Sequence, residues 1–510
     1  MALTTSNVTS GFIDLATYDE LEKYMYGGAD ATAYFVRETR KATWFTQVPV
    51  CLSKSSGESQ FGQEWSAQIT RSGDYLLNMW LQVELPYLVN VHSTDKLRWV
   101  QNLMHNLVEE CSLSFNDLVA ARFDSAHLDF WSQFAYSSNK KSQYNAMIGN
   151  ADYKNVGQHN KASAQSFAMN VAVGPNESLP GNLSAASLEN FDRPILYLPL
   201  PFFFSRDSGV ALPTASLPYN EMKVNFKFRN WNSLLLADHH GTGADNQMET
   251  RHAQVGDDFQ VANGSSLSST EPRLSNVNVW ANYAIVSNDE RKRMACAPRD
   301  MLIEQVQSAP LDQVRVGDSS PNFSLRFSHA IKALFFGLRN ATSVDGDYGP
   351  VDLSYYTAVL PNSLGDTTGH MPLNGHNNMA GQNSPVDKVT LIYENTNRLQ
   401  NMSTQYCSLM QAHNHAACCS SNAPGMHMYS YSLDMLSLDP LGSTNYGKLT
   451  NVSLQTDLSP LAQALQTAHS ENVTVGGQTV KKQQTYEFVC SAVNNNIVRI
   501  SGGALGFPIL

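Results

Sequence analysis

Short apolar runs with strand-like alternation dominate the chain, and helical spacing is confined to a few places. Residues 43–50, 64–69, 75–85 and 107–115 are aromatic-rich or β-branched and are separated by Gly, Ser, Asn and Asp, the pattern of strands bounded by turns. After a polar stretch at 137–189 the pattern resumes at 195–204 and 222–228. It pauses again at 238–269 and returns at 276–286, 323–338, 389–393, 428–433, 449–454 and 486–500. Helix is predicted between strands at 124–134 and within 288–307. Long loops are predicted at 341–386, 405–427 and 456–483, and loops of that length form surface or carry function.

Near the start, Thr17-x-x-Glu20 matches a capping box, and Tyr18, Leu21 and Met25 follow at helical spacing before Gly27-Gly28. A helix this short does not persist alone in water, so it must dock on its own domain or on a partner. Asp19, Glu20 and Glu22 outnumber Lys23, which disfavours an anionic membrane surface. Tyr18, Leu21 and Met25 are therefore the predicted docking residues for a protein partner.

A chain of 510 residues exceeds what one hydrophobic core supports. There is also a faint internal correspondence: Ser208-Gly209 leads through Leu217 into Val224, Phe226 and Phe228, as Gly442-Ser443 leads through Leu449 into Val452 and Leu454. Together these predict an all-β protein of two tandem eight-stranded jelly rolls with short helices and long surface loops. The expected divisions are an arm at 1–30, a first roll at 31–270 and a second at 271–510.

Composition narrows the function. Charged residues make up 15% of the chain, below the roughly 25% usual for soluble proteins, as suits a surface packed against copies of itself. The net charge of -11 and the lack of any basic run longer than Arg291-Lys292-Arg293, with Lys481-Lys482 the longest late cluster, argue against gripping nucleic acid directly. Residues 195–204 are apolar but reach about half the length of a membrane span and contain Pro199 and Pro201, so they read as buried strand. Phe202, Phe203 and Phe204 within them read as core rather than as an exposed docking patch. Residues 1–11 lack the basic and apolar regions of a signal peptide. The 7 scattered cysteines fit reduced thiols rather than a disulfide framework. Sequons at 7, 176, 182, 263, 322, 340, 401, 451 and 472 reflect abundant Asn, Ser and Thr more than glycosylation.

Candidate chemistry is thin. His413-x-His415-x-x-Cys418-Cys419 with His427 has metal-ligand residue types, but its spacing matches no zinc module, and a variable surface loop is the preferred reading. Ser328-His329 and the acids Asp434 and Asp439 are accompanied by no nucleophile elbow, phosphate loop or metalloprotease motif. His329 is expected to fill a polar position beside the strand of Phe323, Leu325 and Phe327. No catalytic, metal or cofactor site is predicted, and the chain reads as non-enzymatic.

Ordered blocks along the whole chain carry a resemblance. Thr9-Ser-Gly-Phe-Ile-Asp-Leu-Ala-Thr-Tyr-Asp19 resembles the opening of iridovirus major capsid proteins, of the large nucleocytoplasmic DNA viruses. So do Arg71-Ser-Gly-Asp-Tyr-Leu-Leu-Asn78, Asn102-Leu-Met-His-Asn106 with Leu113-Ser-Phe-Asn116, and Leu198-Pro-Leu-Pro-Phe-Phe-Phe204 with Arg206-Asp-Ser-Gly209 and Leu217-Pro-Tyr-Asn-Glu221. Arg326-Phe-Ser-His-Ala330, Ala333-Leu-Phe-Phe336, Tyr393-Glu-Asn-Thr396, Arg499-Ile-Ser501 and Gly506-Phe-Pro-Ile-Leu510 continue in the same order. In one loop Leu441 stands where many relatives have Ser, but Pro440 and Gly442, which set the turn, remain.

The resemblance implies a double jelly roll that forms a homotrimer of pseudo-hexagonal outline and self-assembles into an icosahedral virion capsid. It further implies an internal membrane nearby, minor capsid proteins under the shell as partners of an inward-facing arm, and assembly in the host cytoplasm. A glycan-binding β-sandwich module or capsid decoration protein is the alternative, motivated by aromatic and Asn-rich loops. A β-sandwich hydrolase is a more distant third.

Overall fold

The structure is a computed structural model. It describes residues 4–507 apart from 30, 38, 40, 91–94, 117, 150–194, 241–247, 253–258, 264–265, 269–270, 297, 343–352, 359–383, 419–424, 468–472, 476–477 and 481–483. The chain divides into an arm, Met1–Trp44, and a body, Phe45–Leu510.

The arm carries two helices, α1 (Thr4–Ala16) and α2 (Glu20–Met25). The expected capping box is replaced by a different arrangement. Asp19, not Thr17, is the N-cap of α2, its carboxylate accepting from the Glu20 amide at 2.7 Å. Thr17 instead closes α1, its hydroxyl donating to the Asp14 carbonyl at 2.7 Å. The Tyr18 hydroxyl reaches over α2 to the carbonyl of Tyr26 at 3.1 Å.

The body opens with β1 (Phe45–Cys51), β2 (Ser53–Gly57), β3 (Glu64–Gln68) and β4 (Tyr75–Glu84). The helix α3 (Leu103–Leu107) leads into β5 (Val108–Phe115) and β6 (Leu118–Asp124). Two further helices follow, α4 (Ser125–Ala135) and α5 (Ser138–Ile148). The strands β7 (Ile195–Pro199), β8 (Met222–Phe228) and β9 (Ser275–Val286) join the two main sheets of this half, and two small three-stranded sheets at 87–99 and 235–268 lie in its loops. Strands β1 to β9 form one sheet ordered β1-β9-β4-β7 and a second ordered β2-β3-β8-β5-β6. In β8 the side chains of Met222, Val224, Phe226 and Phe228 alternate inward with period two, as the sequence predicts.

The second half has α6 (Asn288–Cys296), so the helix expected within 288–307 stops early and gives way to β10 (Arg299–Ser308). Then come β11 (Asn322–Ser324), β12 (Ala330–Asn340), β13 (Val386–Tyr393) and β14 (Thr396–Ser403). A π-helical turn at Tyr406–Met410 runs into α7 (Gln411–His415), within what the sequence reads as loop. The strands β15 (His427–Ser430), β16 (Val452–Leu458) and β17 (Tyr486–Ser501) close the fold. The sheet orders are β10-β17-β12-β15 and β11-β16-β13-β14.

The two halves share one strand order, with β2 as an extra edge strand in the first. Each is a jelly roll of two packed sheets. The faint internal correspondence lies on this symmetry, because 208–228 and 442–454 lead into β8 and β16, which take the same place in their rolls. β9 pairs along its length with β1 and β4, so residues 275–286 are hydrogen-bonded into the first roll.

Each roll has its own core. The first holds Trp65, Leu81, Phe115 and Phe226 and continues into Ile303 and Val498 of the second roll. The second holds Phe323, Leu334, Phe336 and Phe488. A third cluster joins the rolls, with Phe130, Trp131 and Phe134 of α4 against Ala333, Phe335, Val489 and Val493.

Candidate assembly surfaces

The junction of the rolls is built on α4. Asp124 caps it, the carboxylate accepting from the His127 amide at 2.8 Å. The helix lays Phe130 and Phe134 parallel to the Phe335 ring, with centroids 6.2 and 5.8 Å away. His127 stacks on Trp131, and its Nδ1 lies 3.0 Å from the Ser491 hydroxyl of β17. Burial pushes the His127 imidazole down to about 4, and the Arg206 charge adds to this against the opposing pull of Asp124.

Polar groups complete the junction. Arg206 lies over the Trp131 ring at 4.4 Å, pairs with Glu304 of β10 at 3.1 Å and donates to the Leu436 carbonyl at 3.1 Å. The buried Lys332 ammonium shares the Glu304 carboxylate and also donates to the Ser437 carbonyl. Asp129 of α4 accepts from Asn102 at 2.9 Å and from Ser354 of the second half at 2.8 Å, and its Oδ1 lies 2.6 Å from His105 Nδ1. Along the strand edges, Gln305 donates to the Ala120 carbonyl of β6 at 2.8 Å, and Arg299 donates to the Gly209 carbonyl at 2.9 Å. The rolls are thus fixed to each other by a buried aromatic centre with paired charges around it.

The outer face of β1-β9-β4-β7 looks different. Trp80 and Trp280 sit opposite each other across β4 and β9 and stack at 6.5 Å, with the Trp280 indole donating to Gln82 at 2.8 Å. Asn282 donates to Gln47 of β1 at 3.2 Å. A cleft of about 990 Å³ runs beside Trp80, lined by Tyr136, Tyr197, Arg206 and Leu436 among others. Tyr197 is 36% exposed, and every residue of β1 except Val50 is exposed.

The residues singled out by the sequence fall in different places. Tyr18, Leu21 and Met25 are exposed, as are Val8, Phe12 and Leu15 of α1, which the sequence reading passed over although they too recur at helical spacing. Phe202, Phe203 and Phe204 are buried in the first core, as expected. His329 holds a left-handed turn, with φ 64°, and accepts from the Tyr446 amide through its carbonyl. Gly442 also adopts positive φ, and a Cβ there would meet the Tyr431 carbonyl at 2.7 Å, so the Pro440–Gly442 turn depends on that glycine.

His413, His415, Cys418 and His427 do not converge, and no group of three or more metal-ligand side chains occurs among the described residues. His415 Nδ1 lies 2.9 Å from the Leu433 carbonyl, and His427 is buried, its imidazole pushed down to about 3. Cys419 and the sequons at 176, 182 and 472 lie outside the described residues. Asn340 is fully buried and donates to Gln484 at 2.9 Å. Asp434 accepts from the Leu436 amide at 2.8 Å.

Two family models divide the chain. Residues 33–286 match the major capsid protein N-terminus, and residues 290–506 match the large eukaryotic DNA virus major capsid protein. The chain belongs to this capsid protein family. The major capsid protein of Costelytra zealandica iridescent virus is 49% identical over the whole of both chains, and that of Frog virus 3 is 39% identical over the whole of both. The PBCV-1 virus capsid subunit has the same fold, with a TM-score of 0.65 at 18% identity over 94% of this chain and 100% of that one. The Faustovirus major capsid protein follows at 0.60, with 11% identity over 95% of each. This capsid protein is a double jelly roll with a structural role in the virion shell.

Proposed function

We propose that this chain is the repeating subunit of an icosahedral shell, acting as a homotrimer of pseudo-hexagonal outline. The observation that carries this is the repetition of one strand order in both rolls. Three such chains present six similar units, which is the requirement for a six-sided outline. The rolls divide after Val286 rather than at residue 270, a placement supported by the pairing of β9 with β1 and β4 and by the edges of the two family matches.

The subunit works by self-association and has no enzymatic activity. Its net charge of -11 favours an acidic shell that leaves the genome to other components. The arm, with Tyr18, Leu21 and Met25 exposed, is the side that meets minor capsid proteins near an internal membrane, and assembly takes place in the host cytoplasm. Multi-angle light scattering with electron-microscope images of the purified protein tests the trimer. A three-chain mass with a hexagonal outline is expected, and a stable monomer at micromolar concentration would overturn it.

A further inference from the structure

After its two helices the arm changes character. Residues 31–44 contain no helix or strand among those described, and every described side chain in the stretch is exposed. Tyr34 is 92% exposed, Trp44 86%, and Phe35 fully so. The stretch carries Arg37, Arg40 and Lys41 against Glu38, whereas α2 and its cap carry Asp19, Glu20 and Glu22 against Lys23. Two neighbouring parts of one arm therefore have opposite charge, and they suit different partners.

Positive charge also marks the place where the stretch joins the body. Phe45 opens β1 opposite Val286, the last residue of β9, and α6 begins shortly afterwards at Asn288. After Asp289 and Glu290 this helix carries Arg291, Lys292 and Arg293 in succession, all exposed. Arg291 is held by Asp74, with Nε 2.8 Å from Oδ1. Lys292 and Arg293 put cationic surface at the attachment point of the arm, in a chain whose net charge is -11.

The spacing of the aromatic residues separates a protein groove from a lipid surface. A groove reads a helix through residues three or four apart, or a strand through alternate residues. Here the rings come in adjacent pairs, Tyr34-Phe35 and Trp44-Phe45, with the cations between them. Neighbouring residues do not share one face of either element. The headgroup layer of a bilayer imposes no such register. Tryptophan and tyrosine settle at the boundary of water and hydrocarbon, and lysine and arginine are drawn to anionic lipid.

We infer that residues 34–44 form a lipid-contact element: Tyr34, Phe35 and Trp44 enter the headgroup layer of an anionic bilayer while Arg37, Arg40 and Lys41 pair with its phosphates. This rests on the reading of the arm as the side near an internal membrane, and divides its work: α2 holds a protein partner, and the stretch after it holds lipid directly. Lys292 and Arg293 of α6 add to the attraction. A single stretch of this kind binds reversibly, and a trimer carries three, so the contact gains strength by multivalency. Its electrostatic part weakens as salt rises.

Flotation of the purified full-length protein tests this, using vesicles of phosphatidylcholine alone and vesicles with phosphatidylserine added. The protein should float with the phosphatidylserine vesicles at low salt, and far less with the neutral vesicles or at high salt. Arg37→Glu, Arg40→Glu and Lys41→Glu together should weaken partitioning by about tenfold or more. Tyr34→Ser, Phe35→Ser and Trp44→Ser together should weaken it on the anionic vesicles as well. All six positions precede the body and leave its cores intact. The α2 variant Tyr18→Asp, Leu21→Asp and Met25→Asp should float as the unmodified chain does. Equal binding to both kinds of vesicle, or binding lost in the α2 variant and kept in the other two, would overturn the assignment. Absence of flotation would overturn it too and leave the stretch to a protein partner. Light scattering of the same samples keeps the oligomer separate: a three-chain mass without flotation counts against the lipid contact alone, and a monomeric mass counts against the trimer.

Discussion

The imidazole of His127 in the first roll reaches the hydroxyl of Ser491 in the second, Nδ1 to Oγ at 3.0 Å, across an otherwise aromatic junction. The ring is fully buried between Trp131 and Phe335. It must stay neutral there, since its pKa is pushed down to about 4, mainly by burial.

That depression makes the junction acid-sensitive. In the unfolded chain a histidine takes up its proton near pH 6.5, whereas His127 in the folded chain does so only near 4. Its contribution is therefore fully present above about pH 6.5 and is lost as pH falls towards 4, by about 2–3 kcal/mol. His427, pushed down to about 3, extends the loss in the same direction. Urea midpoints measured at pH 7 and pH 4.5 should show the drop, and His127→Gln should flatten it. An unchanged slope in the variant would remove His127 from the account.

Phe335 is the packing centre of the same junction, stacked on both Phe130 and Phe134. Truncation to Ala should cost about 3–5 kcal/mol, the usual range for a buried aromatic. Because the lost contacts lie between the rolls, calorimetry of Phe335→Ala should also split one melting transition into two. A single transition with unchanged midpoint would show that the rolls are held together elsewhere.

Glu304 answers two cations, Arg206 and the almost fully buried Lys332. Such a cluster is weak support for stability when whole, yet costly when broken, since an uncompensated charge stays buried. Glu304→Gln should destabilise the protein by about 3 kcal/mol in chemical denaturation. Replacing all three residues with apolar ones of similar volume should cost less than the single change. The opposite ranking would mean that the network contributes net binding energy.

Much of this architecture was legible because local pattern and burial agree. The alternation at 222–228, the capped helix at 125–135 and the buried Phe202–Phe204 all follow from period and composition. What escaped is set by distant partners. β9 joins the first roll by pairing with strands some two hundred residues earlier, and nothing local marks that allegiance. α5 buries only Tyr144 and Ile148, too few to stand out from a polar stretch. Trp80 and Trp280 each look like ordinary strand residues, and only the register that stacks them makes a surface. The arm's first helix was missed for another reason: its Thr, Ser and Gly residues are poor helix formers, and they hid the spacing of Val8, Phe12 and Leu15.

The arm allows a separation of trimer from particle. Both of its helices expose apolar side chains, with Phe12 at 68% and Leu21 at 63%, and short helices of this kind are held by the surface they bind. If that surface is a minor capsid protein, deleting residues 1–28 should leave the trimer mass unchanged and reduce particle yield severely. Tyr18→Asp, Leu21→Asp and Met25→Asp together should reproduce the defect without shortening the chain, because a carboxylate in a buried contact costs several kcal/mol unless paired. Light scattering reports the trimer and sedimentation of particles reports assembly. Should the trimer itself dissociate on deletion, the arm would be a clamp between subunits rather than a dock for a minor capsid protein.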